Sequence, residues 1–416
     1  MKHIVVLGGG FAGFWSAAGA ARKLDELGAS PDVRITLVDK NDLHSIRVRN
    51  YEADLDSYII PFSQLLAPIG VEHLQGTVQD IDTRHNTVSV ATTSGEQTLH
   101  YDRLVYALGS QVLRPSVTGL QKHAFDIDTY HGAKQLTEHL ESLPGSSHGP
   151  EKYTAVVIGA GLTGIELACE LPSRLQAIRN RAGGTEPVRV ILADANTHIG
   201  SDMGSQAQTV INEALDALQV ETLTDARITS VDANGLTLAD GERIAASTVV
   251  WCAGMHANPL GTLLPVTKDR LGRIPVDEFM RVEGLAQVFG AGDAAWSMMD
   301  EQHASVMSCQ HGRPMGRYAG HNVVADLLGE PMLPLRIDWY VTVLDLGPWG
   351  AVYTEGWDRR VVSTKSDAKQ TKRIINGSRI YPPKSGIREE ILAAAAPGVQ
   401  TRPKVQTECQ MDEADQ

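Results

Sequence analysis

The sequence predicts an α/β fold in which one strand–turn–helix unit is used twice. Two observations predict it. Residues 4–13 read IVVLGGGFAG, an apolar run that breaks at glycine and continues into small residues at helical spacing (Ala17, Ala18, Ala20 and Ala21). Residues 155–164 read AVVIGAGLTG and repeat that pattern. An unbroken apolar run fits a buried parallel strand, and the glycines that follow fit a tight turn into a helix.

In the first unit Gly8 permits the turn, Gly10 lets the backbone approach a pyrophosphate, and Gly13 lets helix and strand pack closely. The phosphates would rest on the unpaired N–H groups at the helix N-terminus. The next strand, residues 34–39, ends in Asp39, where a ribose-binding carboxylate belongs. In the second unit Gly159, Gly161 and Gly164 take the same places, and the strand at residues 188–194 ends in Asp194. Each fingerprint needs strand, glycines, helix and acid in order, so the chain carries an internal repeat of a dinucleotide-binding unit. No base stands near Asp194 to hold a 2′-phosphate, and NADH is favoured over NADPH.

Composition narrows the class. With 416 residues, 42% of them hydrophobic and 21% charged, the chain can build two or three soluble domains. A net charge of -13 without any run of Lys and Arg argues against nucleic acid as a partner. The cysteines (Cys169, Cys252, Cys309 and Cys409) form no CxxC, which fits a reducing cytoplasm and gives no local support to a redox disulfide. His303, His311 and His321 are spaced too irregularly for one face of ligands, and no metal site is expected. No signal peptide and no stretch of about 18 apolar residues occurs, so the chain reads as soluble or at most peripheral.

The remaining segments fall into place around the two units. Residues 41–51 carry Arg47 and Arg49, which fit either a ligand-facing segment or a solvated edge strand. Residues 65–74 read as a short helix leading into a strand, and residues 76–82, 86–90 and 97–99 alternate as a small β-meander. The strand in residues 101–110 ends at Ala107 and Gly109, where an open parallel sheet presents backbone to a ligand. Residues 144–150 read as a linker, residues 228–238 with 242–244 as a hairpin, and residues 248–254 as a strand ending at Gly254. In residues 286–295 a strand meets a turn at Gly292 and Asp293. That carboxylate either caps the next helix or binds a polyol hydroxyl. The following helix is expected to start near Ser305, its positive end stabilising negative charge on a bound ring by up to about 2 kcal/mol, with Pro314 kinking or ending its first segment.

From about residue 331 the pattern changes to aromatic strands (338–347 and 351–354), a basic helix (368–375) and a turn at 380–383. Trp339 and Tyr381 are candidates to line a pocket. A short helix at 387–396 precedes a polar tail, 397–416, expected to be disordered.

The motifs GGGFAG (8–13), YDRLVYALGS (101–110), GAGLTG (159–164), CAGMHANP (252–259) and VFGAGDAA (288–295) occur in an order that resembles the two-dinucleotide-binding-domain flavoproteins, the pyridine nucleotide-dependent FAD oxidoreductases. The resemblance covers roughly residues 1–325. Residues 164–168, the Ala253–Gly254 turn with Asn258 and Pro259, and residues 307–312 are similar to the type II NADH dehydrogenase branch.

The resemblance implies two Rossmann-like domains, the FAD domain interrupted by the NAD domain, plus a small α+β C-terminal domain. FAD would occupy residues 1–150 and 271–330 through Gly8, Gly10, Gly13, Asp39, Ala107, Gly109, Gly292 and Asp293. NADH would occupy residues 151–270 through Gly159, Gly161, Gly164, Asp194 and Gly254. Residues 331–396 would form an acceptor or interface domain. Glu166 would lie near nicotinamide and flavin, and Gln310 beside a quinone; these are the candidate catalytic residues. The implied reaction passes hydride from NADH to FAD and electrons on to a quinone or similar small acceptor, in a cytoplasmic homodimer at most peripheral on the inner face of a membrane. Two other readings stay open: a reductase of a ferredoxin- or rubredoxin-type carrier, and a slow redox-sensing flavoprotein.

Overall fold

A computed structural model describes residues 1–146 and 149–404. The chain opens with β1 (Lys2–Leu7), α1 (Phe11–Glu26) and β2 (Val33–Asp39), followed after a small insertion by β3 (Glu72–Gln75) and β4 (Arg103–Tyr106). A second unit repeats the plan with β5 (Tyr153–Ile158), α2 (Leu162–Arg181), β6 (Val188–Ala193), β7 (Val220–Leu223) and β8 (Thr248–Trp251). The chain then returns to the first unit through β9 (Val288–Gly290) and the long helix α3 (Cys309–Leu328).

Both sheets are parallel. The first has the order β9–β4–β1–β2–β3, and the second the order β7–β6–β5–β8. Each central strand is apolar because helices cover both faces of such a sheet; β5 is buried along its whole length. In an open sheet of this kind, ligands bind outside the carboxyl ends of the strands, where the chain order reverses. Each glycine turn lies at such an end.

Each unit carries a three-stranded antiparallel side sheet, at Thr77–Asp82, Thr87–Thr92 and Gly95–His100 in the first and at Ile228–Asp232, Gly235–Leu238 and Arg243–Ala245 in the second. The C-terminal part is an antiparallel sheet of β10 (Val341–Asp345), β11 (Ala351–Glu355) and β12 (Arg360–Thr364) with α4 (Lys365–Ile374) packed on it, while α5 (Arg388–Ala394) lies against α1.

Helix α3 packs on α1 through glycine. A Cβ on Gly316 would collide with the Ala12 carbonyl, and one on Gly320 with the Ser16 carbonyl. The helix begins at Cys309, not near Ser305, because the Ser308 hydroxyl accepts the His311 N–H at 3.3 Å and caps it. Pro314 lies inside the helix and does not end it. The backbone bond lost there is offset by the close contact with α1.

Strand β10 starts only at Val341, because the Trp339 carbonyl and the Val341 N–H are held by the Gln310 side chain. The expected disordered tail is also corrected in part. Residues 397–404 lie against the C-terminal sheet, where Tyr353 donates to the Pro403 carbonyl at 3.1 Å and Arg402 pairs with Glu355 at 3.0 Å. Residues 405–416, with Cys409, and residues 147–148 of the expected linker lie outside the described residues.

Candidate active site

The two glycine turns are built alike. Gly8 and Gly159 have φ of +98° and +103°, a region closed to most side chains. A Cβ on Gly13 would collide with the Gly8 carbonyl oxygen, and one on Gly164 with that of Gly159. Gly10 and Gly161 face open space, and each is the N-cap of a helix that no side chain caps. The first N–H groups of α1 and α2 are therefore available to a phosphate. The acids at the strand ends hold these turns: Asp39 accepts the Gly9 N–H at 2.6 Å and the Asn41 N–H at 2.8 Å. Asp194 accepts the Ala160 N–H at 2.5 Å and the Asn196 N–H at 2.7 Å.

Asp293 follows Gly292 (φ +73°) at the end of β9. It accepts the Ser110 hydroxyl at 2.7 Å and lies 3.5 Å from the Arg47 guanidinium. Arg47 also donates to Ser110 at 2.9 Å and pairs with Asp128. It thus lies with Asp293 at the carboxyl ends of β4 and β9, not on a solvated edge strand. Gly109 accepts the Asn258 N–H at 2.9 Å, and Gly254 accepts the Leu113 N–H at 3.0 Å, tying the two units together beside these turns.

Glu166 is the fifth residue of α2, on the second helical turn, and is buried. Its Oε1 accepts the Lys372 ammonium at 2.7 Å and the Asp345 N–H at 3.1 Å. Lys372 also donates to the Val343 carbonyl at 3.0 Å. Asp345 accepts the Tyr51 hydroxyl at 3.1 Å and pairs with Lys369, and Asn376 reaches Tyr51 at 3.3 Å. Burial raises the Glu166 carboxyl above its ordinary range, and the Lys372 ammonium works against that rise. A carboxyl so placed takes up a proton more readily than an exposed one.

Gln310 donates to the Trp339 carbonyl at 3.0 Å and accepts the Val341 N–H at 3.4 Å, so it ties the first turn of α3 to β10. His311 accepts the Val306 N–H at 2.8 Å on Nδ1, which puts its proton on Nε2; burial pushes its pKa down to about 4. His311 lines a cavity of about 590 Å³ with Trp339, Tyr340 and Trp357. Trp357 stacks on Tyr340 at 4.2 Å and on His303 at 4.4 Å. Tyr381 is elsewhere: it accepts Arg49 at 2.6 Å under the Lys384 ammonium, so it does not share a pocket with Trp339.

Residues 2–316 match the model of the pyridine nucleotide-disulphide oxidoreductases. The chain belongs to this family. An NADH dehydrogenase-like protein of Mycobacterium tuberculosis is 54% identical over 404 residues, 97% of this chain and 100% of that one. The demethylphylloquinone reductase of Synechocystis is 30% identical, over 84% of this chain and 86% of its own. The structure of NDH2 from Plasmodium falciparum in complex with NADH superposes with a TM-score of 0.75, at 12% identity, over 95% of this chain and 97% of that one, a likeness of fold.

Unlike the family's name, no disulphide is formed among the described cysteines: Cys169, Cys252 and Cys309 are free. Within the family fold the glycine turns, Asp39, Asp194 and Asp293 are local features of sequence. Lys372, Asp345, Tyr51 and Arg47 are not. They reach the site from distant segments; of the four only Arg47 had a sequence signal, in the basic stretch 41–51 that fits a ligand-facing segment or a solvated edge strand. Among the described residues no helix is long and apolar enough to cross a membrane.

Proposed function

We propose that the protein is an FAD-dependent oxidoreductase that takes hydride from NADH and passes two electrons to a quinone or similar small acceptor. The balanced reaction is NADH + H⁺ + quinone → NAD⁺ + hydroquinone. The observation that carries this reading is the pair of uncapped helix N-termini behind glycine turns, with the buried Glu166–Lys372 pair on the second of those helices. The relatives support it: the NADH dehydrogenase-like protein the donor, and the demethylphylloquinone reductase the acceptor class.

The residues at the first turn fit FAD, since Gly10 leaves space at the α1 N-terminus and Asp293 offers a carboxylate to a polyol beside Ser110 and Arg47. Bound there, FAD would supply the electron chemistry that amino-acid side chains lack. We assign residues 1–150 and 271–330 to it, residues 151–270 to NADH, and residues 331–396 to the acceptor's side. Asp194 selects NADH: its charge, fixed on the turn, repels a 2′-phosphate, and the neighbouring Asn196 offers no positive charge. Glu166 orients the nicotinamide end and exchanges the proton that the reaction consumes, with Lys372 setting its charge. Gln310 positions β10 against α3 and flanks the acceptor.

The test is steady-state NADH consumption by the FAD-loaded protein with a short-chain quinone, oxygen or a rubredoxin-type carrier as acceptor. Quinone should be fastest, NADPH should be a poor donor, and Glu166→Gln should slow turnover. Fast turnover with the carrier alone would replace quinone by a protein acceptor.

A further inference from the structure

We propose that Arg313 and Arg317 form an oxyanion seat, and that the small acceptor carries a carboxylate or comparable anionic group that docks on it. This rests on the small-acceptor reading above and names the kind of acceptor.

Helix α3 turns Cys309, Arg313 and Arg317 to one side, four residues apart. Arg313 is 8% exposed and Arg317 4%. The Arg317 guanidinium lies 4.0 Å from the centre of the Trp15 ring and donates through Nε to the Ala394 carbonyl at 2.8 Å, but its buried Nη1 has no acceptor. Arg313 makes no hydrogen bond or ion pair among the described residues, and its buried Nε is unpartnered.

Three cations of the candidate active site are matched by acids: Lys372 by Glu166, Lys369 by Asp345 and Arg47 by Asp128. Among the described residues no carboxylate pairs with either arginine. Burial holds the Arg317 pKa down to about 9, and the like charge of Arg313 adds to that. A chain with net charge -13 has acids to spare, yet places none here.

A buried cation is normally paired, because its desolvation is otherwise uncompensated. A guanidinium presents a planar fork that fits a carboxylate or phosphate. At the head of the stripe, Cys309 adjoins Gln310, and Gly312 of the same turn lies against Gly292 beside Asp293, so the seat begins at the candidate active site and leads away from it. The anionic end of the acceptor would lie on the arginines and its reducible ring nearer Cys309. His311 projects from the opposite side of α3, so the aromatic cavity it lines is a separate place.

The experiment is equilibrium binding of 2-naphthoate and its neutral isostere 2-naphthamide to the oxidised, FAD-loaded protein. Naphthoate should bind at least about tenfold tighter. That preference should fall to about twofold or less in Arg313→Gln and Arg317→Gln, remain in part in Arg313→Lys, and survive Trp357→Ala. Inorganic phosphate should weaken naphthoate and leave naphthamide unchanged. Equal binding of the two probes to the unaltered protein would overturn the seat without any variant having to fold. So would a preference that survives both glutamine variants, or one that disappears with Trp357→Ala. Equal binding together with loss of FAD from the glutamine variants would give the arginines to the FAD phosphates instead. Quinone reduction can fail while the naphthoate preference holds, and the two readings are thereby separated.

Discussion

Trp15 and Glu166 occupy the same place in the two dinucleotide units, two residues after the last fingerprint glycine (Gly13 and Gly164). A later helix brings a buried cation to each. In the second unit Lys372 of α4 meets the Glu166 carboxylate at 2.7 Å. In the first, Arg317 of α3 meets the face of an indole at 4.0 Å and one backbone carbonyl, that of Ala394, but no carboxylate. The turns, the acids at the strand ends and the sheet order repeat, so what the helix shows beyond its first turn distinguishes the two. One unit closes its own charge, and the other leaves it open to an incoming anion. A repeat thus preserves the cradle for a phosphate and varies the residue one turn further along.

The comparison is broken most severely at its shared part. Gly13→Ala should abolish retention of FAD, seen as loss of the flavin absorbance, because the added methyl meets the Gly8 carbonyl. Gly164→Ala should leave the protein yellow and slow its reduction by NADH roughly a hundredfold, through misplacement of the donor. Lys372→Met strands Glu166 without its partner and should cost about 3 kcal/mol in urea unfolding. Adding Glu166→Gln should recover much of that loss.

The next effect is pH-dependent. His311 titrates at about 4 in the folded protein against an ordinary 6.5, so the unfolded chain takes up the proton first as pH falls. Its contribution to stability is present above about 6.5 and is lost between there and about 4, amounting to about 2 kcal/mol by pH 5. In His311→Gln, urea unfolding from pH 7 to 5 should lose that much of its slope. Smallest is Arg317→Met, which strands no carboxylate and should cost about 1 kcal/mol, since the lost cation–π contact and the lost bond to the Ala394 carbonyl are partly offset by relief of an unpaired buried cation. A cost as large as that of Lys372→Met would remove the contrast between the units.

Both units were legible in the sequence because their parts are local. An apolar run, glycines at fixed intervals and an acid at the next strand end follow from the geometry of one turn and need no distant partner. The same locality made the antiparallel side sheets readable. What the sequence did not show are contacts between segments far apart. Lys372 stands 206 positions from Glu166, and α4 read only as a basic helix because its apolar face is short. Arg47 was ambiguous because either an edge strand or a ligand site tolerates an arginine; its position beside Asp293 comes from the meeting of β4 and β9. The start of α3 was misplaced by a few residues because Ser305 and Ser308 both suit a cap, and only the second has its hydroxyl on a helical N–H. Residues 397–404 read as a loose tail since their contacts, with Tyr353 and Glu355, are made by backbone and by one arginine.

The most direct measurement is anaerobic stopped-flow absorbance on the FAD-loaded protein, mixed first with NADH and then with a short-chain quinone. The flavin band should bleach rapidly with NADH, slowly with NADPH, and return rapidly on addition of quinone. In Glu166→Gln at least one of the two phases should slow while the amplitude stays full. A protein that binds no FAD, or whose flavin NADH does not bleach, would contradict the central claim.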